Sequence, residues 1–215
     1  MKTISVASAT LNLTALDWDG NLAVIESAIA AARTAGADLL CLPEFCVTGY
    51  NCEDAFLSPA LCETAADALI ELLPKTRGLI VTLGLPVVFQ ETRYNAVCLA
   101  VDGRIAGIVA KRHLANEGIH YEPRWFTPWP VGRRDTLSIG GQSIPFGDLA
   151  FNIGGVGIGI EICHEAWVDD RPLHSHVERG AAVILNTSAS HFEFGKHSDR
   201  RDLVLDAVKR YDIAY

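Results

Sequence analysis

Apolar and polar positions alternate over Ile4–Leu11 and predict a strand. Asp19-Gly-Asn21 then opens a stretch whose apolar residues Leu22, Ile25, Ala28, Ile29 and Ala32 recur at helical spacing, closed by Ala35-Gly36. The continuous run Ala37–Leu42 predicts a strand covered on both faces, so the chain opens as a right-handed βαβ unit with a parallel pair. Ser58–Leu73 returns to helical period and stops at Pro74. Gly78–Phe89, Asn95–Val101 and Arg104–Ala110 read as strands, the last two joined across Asp102-Gly103, a strong hairpin signal. Lys111–Gly141 is weakly periodic and rich in Pro and Gly. Its aromatics Trp125, Phe126 and Trp129 predict a long but packed loop. Pro145–Phe151 and Val156–Ile162 are expected to pair, Ala181–Asn186 to form a buried strand, and His197–Tyr211 a helix. Tyr211–Tyr215 resembles the start of a further strand. The alternation of strands and helices around a central hairpin predicts a mixed α/β sheet with helices on its faces.

Composition narrows the function classes. With 215 residues and 49% hydrophobic content, the chain can bury the core of one domain. No apolar run is long enough to span a bilayer, despite a mean hydropathy of +0.20. A net charge of −8 and a pI near 5.3, with no basic cluster larger than Gly132-Arg133-Arg134, argue against a nucleic-acid footprint and favour a small substrate. Cys41, Cys46, Cys52, Cys62, Cys98 and Cys163 include no CxxC pair and no zinc spacing. The opening MKTISVASATLNL lacks a signal peptide's apolar core, so reduced thiols in the cytoplasm are expected. His174, His176, His191 and His197 lack the spacing of a zinc site, and no metal is expected. The run Gly154–Gly159 lies within a predicted strand and fits no phosphate-loop pattern; close strand packing explains it better.

Gly159-Ile-Glu-Ile-Cys-His-Glu-Ala-Trp167 places a cysteine between two carboxylates, surroundings that disfavour a thiolate. Two other strand ends supply what it lacks. Glu44 follows Leu39–Pro43, and Lys111 follows Ile105–Ala110. An acid, a cation and a thiol at the carboxyl ends of strands are the parts for acyl transfer: general base, electrostatic stabiliser and nucleophile. Taken singly, each has a plainer account as a helix-start charge, an edge lysine or a core cysteine; their equivalent positions in successive strand units favour a site. Glu161 and Glu165 are expected not to contact the sulfur, with Glu165 orienting Lys111 or the backbone instead.

Pro43-Glu44-Phe45 with Gly49-Tyr50, Lys111-Arg-His-Leu114, and Glu161-Ile-Cys163-His-Glu165-x-Trp167 together resemble the Glu-Lys-Cys signature of the nitrilase superfamily of carbon–nitrogen hydrolases. More narrowly, Leu114-Ala-Asn-Glu-Gly118 with Arg124–Trp129, and Asn186–His191, resemble the glutaminase domains of glutamine-dependent NAD+ synthetases; the similarity runs over nearly the whole chain. The resemblance implies a four-layer α-β-β-α sandwich over residues 1–215, C-terminally incomplete, with further strands and a synthetase domain past Tyr215 in a parent chain. It also implies a homo-oligomer, and weak or absent activity for a chain ending there. Glu44 is implied as general base, Lys111 as the cation beside the tetrahedral intermediate, and Cys163 as nucleophile towards L-glutamine, with the His164 N–H helping to hold the oxyanion. The implied glutaminase needs no cofactor; ATP and Mg2+ belong to the synthetase domain, which amidates nicotinic acid adenine dinucleotide with the ammonia released.

Glu117 or Glu122 is implied as an additional carboxylate, and Ser190 and Lys196 as holding the glutamine head group. A lysine at 196 keeps the charge but lacks the arginine fork for a carboxylate. His164 stands where relatives often carry an acid, which weakens its transfer as an α-amino binder, and Trp167 either walls the pocket or packs in the core. A free-standing hydrolase of another amide or N-carbamoyl compound is the alternative reading. A non-catalytic binding module is a third, which retention of all three residues disfavours.

Overall fold

The computed structural model describes residues 3–215. β1 (Val6–Ser8) and β2 (Leu39–Cys41) run parallel and are joined by α1 (Trp18–Thr34), as the opening pattern predicts. The helix is capped by Asp17, whose carboxylate accepts the Gly20 N–H, and it buries Leu22, Ile25, Ile29 and Ala32. α2 (Pro59–Leu72) tightens into a 3-10 turn at Leu73–Thr76, so the chain coils on past Pro74 rather than stopping there. β3 (Ile80–Phe89), β4 (Thr92–Val101) and β5 (Arg104–Ala110) form an antiparallel meander. Its Asp102-Gly103 turn has both residues at positive φ, 49° and 80°, as a tight two-residue hairpin requires.

Two expectations fail beyond this point. The long loop ends at Arg133, because β6 (Arg134–Ile139) and β7 (Gln142–Gly147) form a hairpin across Gly140-Gly141. The alternation that buries Leu137 and Ile139 is short, and it is masked by the glycine pair that serves as its turn. Residues 145–151 are therefore not one strand pairing with Val156–Ile162. β7 adds to β5 in parallel from Ile108↔Phe146, and Pro145 is tolerated because that ladder begins beyond it. The chain then crosses at Asp148–Ala150 into a second sheet of β8 (Phe151–Ile153), β9 (Val156–Ile162) and β10 (Val183–Thr187). α3 (Pro172–Glu178), absent from the pattern reading, and α4 (Lys196–Tyr211) complete the fold; Ala214 bridges Val183 in parallel.

There are accordingly two sheets, ordered β1-β2-β3-β4-β5-β7-β6 and β10-β9-β8, not one. Four layers follow from their cores. Leu22, Ile25, Ile29 and Leu69 of the first two helices pack on one face of the large sheet, against Leu40, Val81 and Leu83. Its other face presents Leu39, Val97, Leu99 and Val109 to Ile158, Ile160, Ile162 and Leu185 of the small sheet. The small sheet's outer face holds Leu173 and Ala207 of α3 and α4 against Ile184. This is the α-β-β-α sandwich. The loop after Lys111 is packed as its aromatics predict, with Trp125 and Phe126 joining Phe45 and Phe56 in a satellite cluster and Trp129 in the main core. Gly157 is required by close approach, since a Cβ there would run into the Gly180 carbonyl oxygen. Among the described residues no helix is long and apolar enough to cross a membrane.

Candidate active site

Three strand ends converge between the sheets. Behind β2, Thr82 Oγ1 accepts the Leu42 N–H at 2.8 Å, and the chain turns at Phe45, whose φ of 50° is left-handed. The turn presses so close to β3 that a Cβ on Gly84 would lie 2.5 Å from the Phe45 nitrogen. Phe45 swings into the aromatic cluster, and Glu44 points inward, buried. Behind β5, the Lys111 N–H donates to the Asn95 carbonyl and its own carbonyl accepts from Trp129, both at 2.9 Å. Behind β9, Cys163 begins the 3-10 turn Cys163–Trp167 with φ 47°. A non-glycine residue in that region carries about 1–3 kcal/mol of strain, and such strain clusters at functional sites.

The Lys111 ammonium lies 2.7 Å from Glu44 Oε1 and 2.8 Å from Glu122 Oε2, all three groups withdrawn from solvent. Asn95 Nδ2 donates to Glu44 Oε1 at 2.7 Å and to Glu122 Oε1 at 3.3 Å. Glu122 also accepts the Ala115 N–H at 2.9 Å and the Tyr50 hydroxyl at 3.0 Å. Glu44 Oε2 is buried without a partner among the described residues, and so is Asn95 Oδ1. Burial works against the lysine's charge, but Glu44 and Glu122 outweigh it and hold Lys111 protonated well above its ordinary range. Burial likewise raises the Glu44 carboxyl, with Lys111 opposing and Glu122 reinforcing the rise. Cys163 is pushed up to about 12, first by burial and then by Glu44; Lys111, the Ser188 hydroxyl donating at 3.2 Å and the Ala189 N–H oppose it. Burial and Glu44 thus favour the thiol form of Cys163 over the thiolate.

The carbon–nitrogen hydrolase model matches residues 5–208. The chain belongs to the carbon–nitrogen hydrolase family. Within it, the chain is 37% identical over 218 residues to the glutamine-dependent NAD(+) synthetase of Saccharomyces cerevisiae, covering 96% of this chain and 30% of that protein. Similarity to the rat enzyme of the same name is 33% over 221 residues, again 96% of this chain and 30% of the relative. The crystal structure of a glutamine-dependent NAD(+) synthetase from Cytophaga hutchinsonii superposes with a TM-score of 0.91 at 42% identity, covering 99% of this chain and 35% of that one. A mutant of the Nesterenkonia AN1 amidase, from the nitrilase superfamily, shares the fold at 20% identity with a TM-score of 0.72, covering 94% of this chain and 72% of that one. The chain spans about a third of the length of the synthetases it matches.

The remaining family-implied positions divide. Of the two acids after the lysine, Glu122 stands against Lys111, whereas Glu117 is exposed on the loop tip and makes no such contact. The difference is the loop's return: the Glu122 N–H donates to the Ala115 carbonyl while its carboxylate takes the Ala115 N–H, which turns that side chain inward. A cleft of about 960 Å³ is lined by Glu44, Tyr50, Trp167, Ser188 and Ser190, while Lys111 and Cys163 lie outside its lining. Trp167 is 39% exposed at that cleft, so it is a wall rather than core. Lys196 points to His191, with Nζ 3.3 Å from Nε2, and does not line the cleft. His164 is half-buried, its pKa lowered by burial and then by Lys111. Glu161 pairs with Arg171, and Glu165 takes backbone N–H groups; neither is bonded to the sulfur. Of the histidines set aside as metal ligands, His176 is buried under β9 with Nε2 at 2.9 Å from the Ile160 carbonyl, and His174 packs against Tyr211.

Sequence reasoning missed Asn95, Ser188 and the roles of Tyr50 and His120, which lie 3.1 Å apart and continue to His191 at 3.0 Å. Asn95 had a signal: a lone amide inside the apolar run of β4 is costly unless it has a buried partner. Ser188 and His120 had none.

Proposed function

We propose that this chain is a glutamine amidohydrolase that releases ammonia from L-glutamine through a thioester on Cys163. The observation that supports it is the pairing of Lys111 with Glu44, whose second oxygen has no partner among the described residues, beside a thiol that senses both charges. Glu44 Oε2 takes the Cys163 proton as sulfur attacks the side-chain amide carbon. The negative charge gathering on the amide oxygen is met by Lys111 and the His164 backbone N–H. Glu44 returns the proton to the departing nitrogen, and ammonia leaves. Water then attacks the thioester with Glu44 again as base; the C–S bond breaks, glutamate departs and the thiol regains its proton. Tyr50 and Asn95 hold Glu122 and Glu44 in place around the fixed lysine.

Relatives at 31–37% identity carry the name of glutamine-dependent NAD(+) synthetase. We therefore read the ammonia as the nitrogen source for ATP-dependent amidation of nicotinic acid adenine dinucleotide in a synthetase domain of the same protein, where ATP and Mg2+ belong. Ser190 at the cleft is the proposed contact for the amino-acid end of glutamine. The cytoplasm and a homo-oligomer remain part of this reading. The test is release of glutamate and ammonia in equal amounts from L-glutamine, with Cys163→Ala as control. Turnover of other amides or N-carbamoyl compounds with glutamine inert would replace the substrate, and equal activity in the control would remove the covalent step.

A further inference from the structure

Glu165 is buried, yet it faces no cation at bonding distance and no side-chain donor among the described residues. All its hydrogen bonds come from the backbone. Oε2 accepts the Ile162 N–H at 2.6 Å, and Oε1 accepts the Arg112 N–H at 2.5 Å and the His113 N–H at 3.4 Å. Ile162 immediately precedes the nucleophile, and Arg112 immediately follows the lysine. β5 and β9 lie in different sheets, so no backbone ladder ties Lys111 to Cys163.

We propose that Glu165 is the positioning residue that sets Cys163 against Lys111, by clamping the end of the cysteine strand to the start of the lysine loop. The inference rests on the acyl-transfer reading of the site but not on glutamine as the substrate. The residue type fits the task. In its ionised form the carboxylate offers two oxygens and no donor, so it can take N–H groups from both sides; a glutamine in its place would turn an NH2 towards one of them at every pH. The clamp also closes the cap of the turn in which Cys163 sits at φ 47°, and so holds the nucleophile in a conformation it would not keep unaided.

Glu165→Gln in the full-length protein tests this. With KM nearly unchanged, kcat should fall about 100-fold, the loss expected when reacting groups shift by roughly an ångström. A second readout needs no substrate: carbamidomethylation of Cys163 by iodoacetamide, followed by mass spectrometry of its peptide. Glu165→Gln should slow it about 10-fold when Glu44 is present and less than about 2-fold in a Glu44→Gln background, because coupled sites are non-additive. A fold-maintaining role alone would act equally in both backgrounds. If Glu165→Gln fails to fold, Glu165→Asp carries the test: its shorter side chain keeps the local Ile162 bond and loses Arg112, so kcat falls while the melting temperature holds. Wild-type kcat in a folded variant, or equal alkylation effects in the two backgrounds, would overturn the clamp. Inert glutamine with the alkylation coupling intact would instead overturn only the substrate assignment.

Discussion

The Lys111 ammonium stands 2.7 Å from one oxygen of Glu44 while the other oxygen of that carboxylate is buried without a partner among the described residues. In the proposed mechanism one carboxylate does two jobs with its two atoms. The bonded oxygen is held by the lysine and by Asn95, also at 2.7 Å, so the side chain cannot rotate away. The open oxygen is left to accept a proton.

Because burial and Glu44 push the Cys163 thiol up to about 12, alkylation by iodoacetamide should show no plateau at neutral pH and should keep accelerating into alkaline solution. The proposed mechanism requires ionised Glu44, whose pKa burial raises. As pH falls, kcat/KM should therefore decline through a value above the ordinary glutamate range of about 4.3. An alkylation profile with its midpoint below about 7 would mean a preformed thiolate, as in low-pKa catalytic cysteines.

Asn95→Ala removes the donor from Glu44 and Glu122 without touching Lys111 or Cys163. A hydrogen bond to a charged group is worth about 1.5–3 kcal/mol, so kcat should fall roughly 10- to 100-fold. Asn95→Asp should be worse, since it adds a third acid around one lysine. Steady-state kinetics on both variants decides, and unchanged kcat in Asn95→Ala would show that the amide is dispensable.

Glu165 titrates in reverse of a paired surface acid. Burial raises it to about 7 against its backbone donors, so the folded chain holds that proton more tightly than the unfolded one. Its contribution to stability is full below pH 4.5, the ordinary value, and is lost as pH rises through about 7. Relative to Glu165→Gln, which cannot titrate, the wild type should lose about 2–3 kcal/mol between pH 5 and 8. Urea unfolding at the two pH values measures it, and parallel changes in both proteins would contradict it.

Glu161 is buried with Arg171 at 2.6 and 3.0 Å, the Leu173 N–H at 3.0 Å and the Tyr215 hydroxyl at 3.0 Å. Arg171→Ala would strand the carboxylate and should cost about 3–5 kcal/mol, on the order of 10 °C in melting temperature. Adding Glu161→Gln should recover part of the loss. Calorimetry on the single and double variants checks both statements.

Glu44, Lys111 and Cys163 were legible in the sequence because each is a polar residue that ends an apolar run, and runs are what periodicity reads best. What was hidden depends on distance along the chain. Asn95 meets Glu44 across 51 residues and Glu122 across 27. The choice between Glu117 and Glu122 turned on a loop return at Ala115 that leaves no periodic trace. Layering was hidden for a related reason: β3 is buried on both sides, and such a strand does not reveal which face meets a helix and which a second sheet. The β6–β7 hairpin was lost to its own Gly140-Gly141 turn.

The site also straddles the seam between the two sheets, with Glu44 and Lys111 carried by the large sheet and Cys163 and Ser188 by the small one. The aliphatic filling of Leu99, Val109, Ile160 and Ile162 between the sheets therefore adds to the Glu165 clamp in fixing the separation of these strand ends. That makes turnover a gauge of the sandwich's filling. Hydrostatic pressure, or trimming a methyl group from that filling, should dim the enzyme while its circular dichroism still reports an intact protein.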